Sequence, residues 1–275
     1  VTSILFMTSL TLHLTRRLKL NPFPYVVMIV LATNIGSSAT VIGNPVGIII
    51  ALRSGLTFSD FIRWATPISA LCLAITIPMC LWLFRQDIRV LKGALTAPST
   101  PEPISHLVTR QGVRRSGLLF ALVITGLVCH HQLERWWHLA PNTMLLGVAL
   151  CGAGIALVMS GERARQLVEQ RVDWWTLAFF LMLFASIGTL QYTGVTGVLA
   201  QRLMALADGS VPMLTTLVGV SAWLLTAVMD NVPAVAKCVP IVNDVATTGV
   251  QTFPLWWAML MGGTLGGNAT LIGST

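Results

Sequence analysis

Residues 36–43 read Gly-Ser-Ser-Ala-Thr-Val-Ile-Gly, and residues 266–273 read Gly-Gly-Asn-Ala-Thr-Leu-Ile-Gly. Five of the eight positions are identical, and each copy lies inside a long stretch without charged residues. Glycine destabilises a helix by about 1 kcal/mol relative to alanine, and Ser, Thr and Asn side chains compete for the backbone hydrogen bonds. The two copies therefore predict two apolar helices that break at the same point of an internal repeat.

Low charge is a property of the whole chain of 275 residues, of which 55% are hydrophobic and 10% charged. A soluble domain is about one quarter charged. The stretches without Asp, Glu, Lys or Arg are 20–52, 64–84, 116–133, 136–161, 174–201, 209–229 and 245–275. Each is long enough for a helix to cross a bilayer, which takes about 17–25 residues. Continuous apolar runs favour helices over a barrel, so we expect an all-α polytopic membrane protein surrounded by the lipid bilayer.

The net charge of +7 comes from basic residues in the connections between the apolar stretches. Three connections, 16–19, 85–115 and 163–171, hold 12 of the 17 Lys and Arg residues. The positive-inside rule places such connections in the cytoplasm, so the protein is expected to be a multi-pass protein of the inner (plasma) membrane. Because topology accounts for the basic charge, no nucleic acid is expected as a partner.

A second feature is the run Thr226-Ala-Val-Met-Asp-Asn-Val-Pro233, in which Asp230 follows 21 uncharged residues. An ionisable group at membrane depth is costly and is by default a functional candidate. Pro233 disfavours helical backbone in the residue before it. The run predicts a re-entrant helical hairpin with Asp230 and Asn231 at its tip, and the alternative is a loop at the membrane surface.

The spacing of these two features predicts the domain organisation. Asp230 precedes Gly266 by 36 residues, which places the equivalent tip of the first repeat at about position 0. This spacing predicts two repeats that are truncated at both chain ends, and the topology set by the basic connections predicts that the repeats are inverted. The first-repeat part is 1–84, a cytoplasmic linker is 85–116, and the second-repeat part is 117–275.

Three segments, Asn34–Pro45, Asp230–Pro240 and Gly263–Gly273, resemble the ion transporter superfamily, in particular the ArsB/NhaD and citrate-transporter-like permeases. The segment Trp174–Phe184 resembles the span that opens the second half of that family. The resemblance implies re-entrant hairpins and broken transmembrane helices, with the substrate and the coupling ions bound between hairpin tips and helix breaks. The substrate-binding residues that it implies are Ser37, Ser38, Thr40, Asn44, Asp230, Asn231, Asn268 and Thr270. The cation-coordinating residues that it implies are Asn34, Gly36, Gly43, Asp230, Gly266, Gly267 and Gly273.

The function implied by the resemblance is ion-coupled secondary active transport of a small anion by alternating access. The anion would be a carboxylate or an inorganic oxyanion such as arsenite, and Na+ or H+ would be the coupling ion, with no other cofactor. Half-helix N-termini would face the anion, and carbonyl, Asn and Thr oxygens would coordinate the cation. The resemblance also implies a homodimer.

Two departures from the family pattern keep an alternative open. Many antiporter-like members carry Gly-Asp-Pro-Pro-Asn after the first break, where this chain has Gly43-Asn-Pro-Val-Gly47. Asp230 stands where the dicarboxylate symporters carry Ser-Asn-Thr. The alternative is a sodium/proton antiporter of the NhaD type that uses Asp230 as its titrating group.

Enzymatic and metal-site readings find little support in the sequence. An intramembrane hydrolase acting through Asp230 would need a second carboxylate or a base within reach. The five cysteines are scattered through apolar sequence without metal-ligand spacing. A scaffold protein would not need two polar breaks, so we expect neither an enzyme nor a resident metal.

Overall fold

The computed structural model describes residues 2–96, 110–140 and 143–270, and within them it contains helices and connections but no strand. The α-helices are α1 (Thr2–Arg17), α2 (Phe23–Ser37), α3 (Pro45–Ser54), α4 (Phe58–Asp60), α5 (Thr66–Leu83), α6 (Arg85–Thr96), α7 (Arg110–Val128), α8 (His130–Trp136), α9 (Thr143–Ser160), α10 (Ala164–Arg171), α11 (Trp174–Tyr192), α12 (Val195–Ala207), α13 (Val211–Val228), α14 (Asn231–Ala246) and α15 (Phe253–Leu265). A π-helical turn (Phe61–Ala65) joins α4 to α5, and 3-10 turns, Gly161–Arg163 and Gly266–Asn268, follow α9 and α15.

Several of these helices have the length and composition of membrane spans. Four helical stretches in the described part of the chain are long and apolar enough to cross a membrane by themselves, namely Phe58–Leu83, Thr143–Gln170, Trp174–Tyr192 and Val211–Val228. A pair of helices with a bend between them would add a fifth if the two form one span. The outer faces are apolar, as on α5, where Leu71, Ile75 and Trp82 are 61%, 62% and 70% exposed. Such surfaces suit contact with lipid tails rather than water. The expected all-helical, polytopic membrane architecture is confirmed.

One predicted span differs from expectation. The apolar stretch 116–133 predicts a single helix, but α7 ends at Val128 and the chain bends by 64° into α8. The side chain of Glu134 on α8 is 3% exposed, and its Oε1 accepts a hydrogen bond of 2.9 Å from the backbone N–H of Met144. Glu134 therefore caps the start of α9, which requires α8 to turn toward α9 instead of continuing α7.

The helices form two units, one of residues 1–100 and 187–275 and one of residues 101–186. In the second unit, α7 packs on α9 through glycines. A Cβ atom on Gly126 would lie 2.8 Å from Cγ1 of Val148, and one on Gly152 would meet Cγ2 of Val123 at 2.5 Å. Small residues at these two positions thus allow the close approach that membrane helices use for packing.

The core of the first unit is α14, which is surrounded by α3, α12, α13 and α15. Eleven of its sixteen residues are buried, and its apolar members are small or β-branched. A helix that is buried over most of its surface belongs in the interior of a bundle. The beginning of α14 therefore lies inside the first unit, and this is where the candidate site is found.

The domain boundaries predicted from sequence stay predictions. Within the linker assigned to 85–116, the described residues are helical, as α6 and the first turns of α7. Tyr25 on α2 donates a hydrogen bond of 2.8 Å from its hydroxyl to the backbone oxygen of Asp87. Part of the predicted linker is thus attached to the first broken helix.

Candidate binding site at the helix breaks

The first break lies between α2 and α3, as the Gly36–Gly43 repeat predicts. Helix α2 ends at Ser37, α3 begins at Pro45, and the intervening residues form turns. Gly43 is required there, because a Cβ atom would overlap the backbone oxygen of Ser37. Asn44 caps α3 by accepting a hydrogen bond of 2.7 Å at Oδ1 from the N–H of Gly47.

The helical hairpin predicted around Asp230 is formed by α13 and α14. Met229 and Asp230 have extended backbone between the two helices. Pro233 is the third residue of α14, where its missing N–H has no partner to lose within the helix. Asp230 lies at the tip and is half-buried, and Asn231 is the first residue of α14 rather than part of a loop.

The second break begins at Gly266, where α15 gives way to a 3-10 turn that ends at Asn268. Gly266 packs against the hydroxyl of Thr226 on α13, and a Cβ atom there would lie 2.5 Å from the backbone oxygen of Trp223. The hydroxyl oxygen of Thr226 also lies 3.3 Å from the carbonyl oxygen of Gly262. The end of α15 is therefore held closely against α13.

Three asparagines from the two breaks and the hairpin meet in what we name the asparagine cluster: Asn34, Asn231 and Asn268. Nδ2 of Asn34 donates a hydrogen bond of 2.8 Å to Oδ1 of Asn268. Nδ2 of Asn231 donates one of 3.4 Å to Oδ1 of Asn34. Asn34 and Asn231 are 7% and 9% exposed. Asn34 thus links the first break to the second break and to the start of α14.

A second link between the breaks includes a residue that sequence reasoning missed. Nδ2 of Asn44 lies 3.1 Å from Oγ of Ser37 and 3.5 Å from Oγ1 of Thr264, and Thr264 is fully buried. The repeat contained a signal for it, because Gly36 and Gly266 differ by 230 positions, and the same offset pairs Asn34 with Thr264.

Other predicted residues lie outside these contacts. Ser38 is fully buried, and its Oγ lies 2.7 Å from the carbonyl oxygen of Ile35 and 2.8 Å from Oγ of Ser69 on α5. The hydroxyl of Thr270 donates to the carbonyl oxygen of Ala227. Thr40 is half-buried within the first break.

The glycines that are predicted to coordinate the cation differ in their surroundings. Gly266 and Gly267 are buried, whereas an added Cβ atom on Gly36 would meet no other atom within 4 Å. Gly273 lies outside the described residues.

The asparagine cluster is formed by neutral amides, and the carboxylate of Asp230 directly precedes Asn231 at the hairpin tip. Asp230 is the N-cap of α14, where the partial positive charge of the helix dipole favours a carboxylate. The start of α3 has a neutral cap, Asn44. The described residues contain no group of three or more His, Cys, Asp or Glu side chains that could hold a metal ion, but amide, hydroxyl and carboxylate oxygens suit hard monovalent cations.

Comparison with known proteins identifies relatives over the entire chain. A family model described as "Citrate transporter" matches residues 1–262. An uncharacterized transporter of Mycobacterium tuberculosis is 35% identical over 286 residues, which cover 100% of this chain and 62% of that protein. A "46 kDa membrane protein" of Mycobacterium leprae is 34% identical over 287 residues, covering 100% of this chain and 63% of that protein.

A more distant match is the P protein of Homo sapiens, 24% identical over 347 aligned residues, with 100% of this chain and 41% of that protein covered. The chain thus spans 62% to 63% of the length of the mycobacterial relatives.

Proposed function

The chain belongs to the citrate transporter family, and from that membership we propose that it is part of an ion-coupled secondary transporter for a small anion. The anion is a carboxylate or an inorganic oxyanion such as arsenite, and alternating access moves it across the cytoplasmic membrane. The coupling ion is Na+ or H+. This proposal takes the substrate class from the family and the site from the geometry of the two breaks.

The observation that carries the proposal is the bridge formed by Asn34. Its side chain contacts Asn268 and Asn231 across 234 and 197 positions of the sequence. A buried amide with both ends engaged has a defined orientation. Polar groups and irregular backbone at membrane depth are tolerated where they line a binding site. The asparagine cluster is therefore the best candidate for the place where bound ions hold the two breaks together.

The charges of the site support a division of roles between the two helix starts. At α14, the carboxylate of Asp230 already occupies the positive helix end and would repel a second anion. At α3, the cap is the neutral Asn44. We therefore assign the anion to the start of α3 with Ser37 and Asn44, and the cation to Asp230 and the asparagine cluster.

The test begins with a substrate screen on the full-length gene product in detergent. Citrate, succinate and arsenite are each added with and without Na+, and thermal unfolding is recorded, because a ligand that binds the folded state raises Tm. The stabilising anion is then used for uptake into proteoliposomes. We expect uptake to depend on the Na+ or H+ gradient and to be lost in Asn268→Leu, which removes the partner of Asn34.

Ser38→Ala is the matched control, because position 38 is the repeat equivalent of position 268 but lies against α5. It should retain uptake. Uptake by Asn268→Leu at the rate of the unchanged protein, with normal protein yield, would contradict the proposed site.

The alternative is a sodium/proton antiporter that uses Asp230, and its support is the position of this half-buried carboxylate next to Asn231. It predicts that Na+ releases protons from the purified, full-length protein in weak buffer. Asp230→Asn should abolish this release with little change of shape. An absence of proton release in the unchanged protein would exclude the antiporter and leave the anion transporter in place.

A further inference from the structure

Two groups of basic residues that are far apart in the sequence lie at the same end of α2. Residues 16–19 and 85–92 contain six Lys and Arg residues and one acid, Asp87. The first group ends α1 and is followed by a short turn into α2, and the second belongs to α6. The hydrogen bond from Tyr25 to the backbone oxygen of Asp87 joins the first turn of α2 to the first turn of α6. Four exposed side chains of these groups form what we name the basic patch: Arg16, Lys19, Arg85 and Arg89.

The basic patch lies at the edge of the apolar outer surface. On α5, the exposed side chain of Trp82 comes three residues before Arg85, and on α1 the exposed Leu14 comes two residues before Arg16. Exposed apolar faces suit lipid tails, whereas tryptophan and basic residues collect where the tails give way to the headgroups. The order of these residues therefore places the patch at the depth of the lipid headgroups.

Helix α6 presents its basic residues on one face. Arg85, Arg89 and Lys92 follow one another at spacings of four and three residues, which bring side chains to the same side of a helix. Ile88 and Leu91 lie off that face and are half-buried. In the described parts of the chain, neither Arg85 nor Arg89 forms an ion pair with an acid. A helix that is apolar on one side and basic on another is typical of segments that lie in a membrane interface beside anionic lipids.

Lys19 contributes to the patch from an unusual backbone position. The N–H of Leu20 bonds to the carbonyl oxygen of Thr15 at 2.8 Å, and the N–H of Lys19 bonds to that of Arg16 at 3.2 Å. These two bonds form a Schellman motif at the end of α1, whose left-handed position is usually a glycine. Lys19 occupies this position at φ 53°, although left-handed backbone is costly for a residue with a Cβ atom. Because the backbone alone would favour glycine, we attribute the lysine to the charge that it supplies.

We propose that the basic patch binds the phosphate groups of anionic phospholipids. Guanidinium groups bind phosphate through paired hydrogen bonds, and anionic lipids supply phosphate at the depth where the patch lies. The positive-inside rule accounts for an excess of basic residues in a connection. It does not require them to share a face of α6 or to include a lysine in a left-handed turn. The proposal concerns the membrane surface and does not depend on the transport function proposed above.

The experiment measures thermal unfolding of the full-length gene product in micelles of detergent and phosphatidylcholine, to which phosphatidylglycerol is added in steps. A lipid that binds the folded state raises Tm, and the unchanged protein should show this rise. Inorganic phosphate should not replace the lipid. The double variant Arg85→Gln, Arg89→Gln should need about tenfold more phosphatidylglycerol or more for half of the rise, since each basic residue near an anionic surface contributes about fivefold in affinity.

Lys19→Gly separates a binding role from a structural one. Glycine relieves the left-handed position, so Tm in phosphatidylcholine alone should rise, while the response to phosphatidylglycerol should weaken by about fivefold. A residue that acted only on the fold would change the first measurement and leave the second as it was.

The matched control is the double variant Arg53→Gln, Arg63→Gln. It removes two exposed arginines near the start of the Phe58–Leu83 span, at the opposite end from the patch, and should keep the full response to phosphatidylglycerol. The proposal would be overturned by a response that is absent from the unchanged protein, that is unchanged in Lys19→Gly or in the Arg85 and Arg89 variant, or that is lost equally in the control.

Discussion

The two helix breaks have nearly the same sequence but different surroundings. At the first break, Gly36 faces open space and Ser38 is buried against Ser69 of α5. At the second break, the equivalent Gly266 is pressed against α13, and the equivalent Asn268 contacts Asn34. The repeat therefore determines where each helix ends, whereas the neighbouring helices determine what each repeat position does. Substitutions at paired positions should have unequal effects.

The largest difference in stability is expected at the paired glycines. In Gly266→Ala, the new Cβ atom meets Thr226 and the backbone of Trp223, and such overpacking destabilises by about 1–3 kcal/mol or more. In Gly36→Ala, the methyl group enters open space, and removing a helical glycine stabilises by up to about 1 kcal/mol. Thermal unfolding in detergent should show opposite shifts of Tm, and equal shifts would disprove the asymmetry.

An intermediate effect is expected from Asn34→Leu. This substitution removes the hydrogen bonds that the side chains of Asn231 and Asn268 make with Asn34, and a buried polar group that loses a hydrogen bond destabilises by about 1–3 kcal/mol. The free energy of unfolding should therefore fall, and the affinity for the coupling ion should fall with it. The conservative variant Asn34→Gln keeps both functional groups and should retain part of the ion affinity. Similar ion binding by Asn34→Leu and the unchanged protein would exclude Asn34 from the site.

The smallest effect is expected at Thr264, the repeat equivalent of Asn34. Thr264→Val keeps the shape and removes only the 3.5 Å contact with Nδ2 of Asn44, so stability should change by about 1 kcal/mol or less. Because Asn44 caps α3, we expect weaker anion binding with unchanged cation binding. A loss of cation affinity as large as that of Asn34→Leu would show that the two repeat positions are equivalent after all.

The breaks and the hairpin could be predicted from the sequence because glycine and proline act on the backbone locally. Gly43 allows the tight turn of the first break, and Pro233 is accepted in the first turn of α14, wherever the rest of the chain lies. The bend between α7 and α8 could not be predicted, because it accompanies the hydrogen bond between Glu134 and Met144. A contact between separate helices leaves no periodic pattern in the sequence.

The members of the asparagine cluster could be predicted from the sequence, but the contacts between them could not. The composition of the breaks points to Asn34, Asn231 and Asn268, but not to which amide contacts which. Ser38 has the same chemistry as a ligand, yet its hydroxyl contacts Ser69 of α5 and not the asparagine cluster. Thr264 could be found only by extending the 230-residue offset between the two repeats beyond the eight matching positions.

The central claim is that the two breaks form one site through the contact between Asn34 and Asn268. A double-mutant cycle on coupling-ion affinity tests it most directly, with Asn34→Ala, Asn268→Ala and the double variant in the full-length protein. If the two side chains act through each other, the double variant should bind the ion about as well as the weaker single variant, with a coupling of about 1 kcal/mol or more. If the two losses of affinity multiply, the asparagines act independently, and the account of a shared site is wrong.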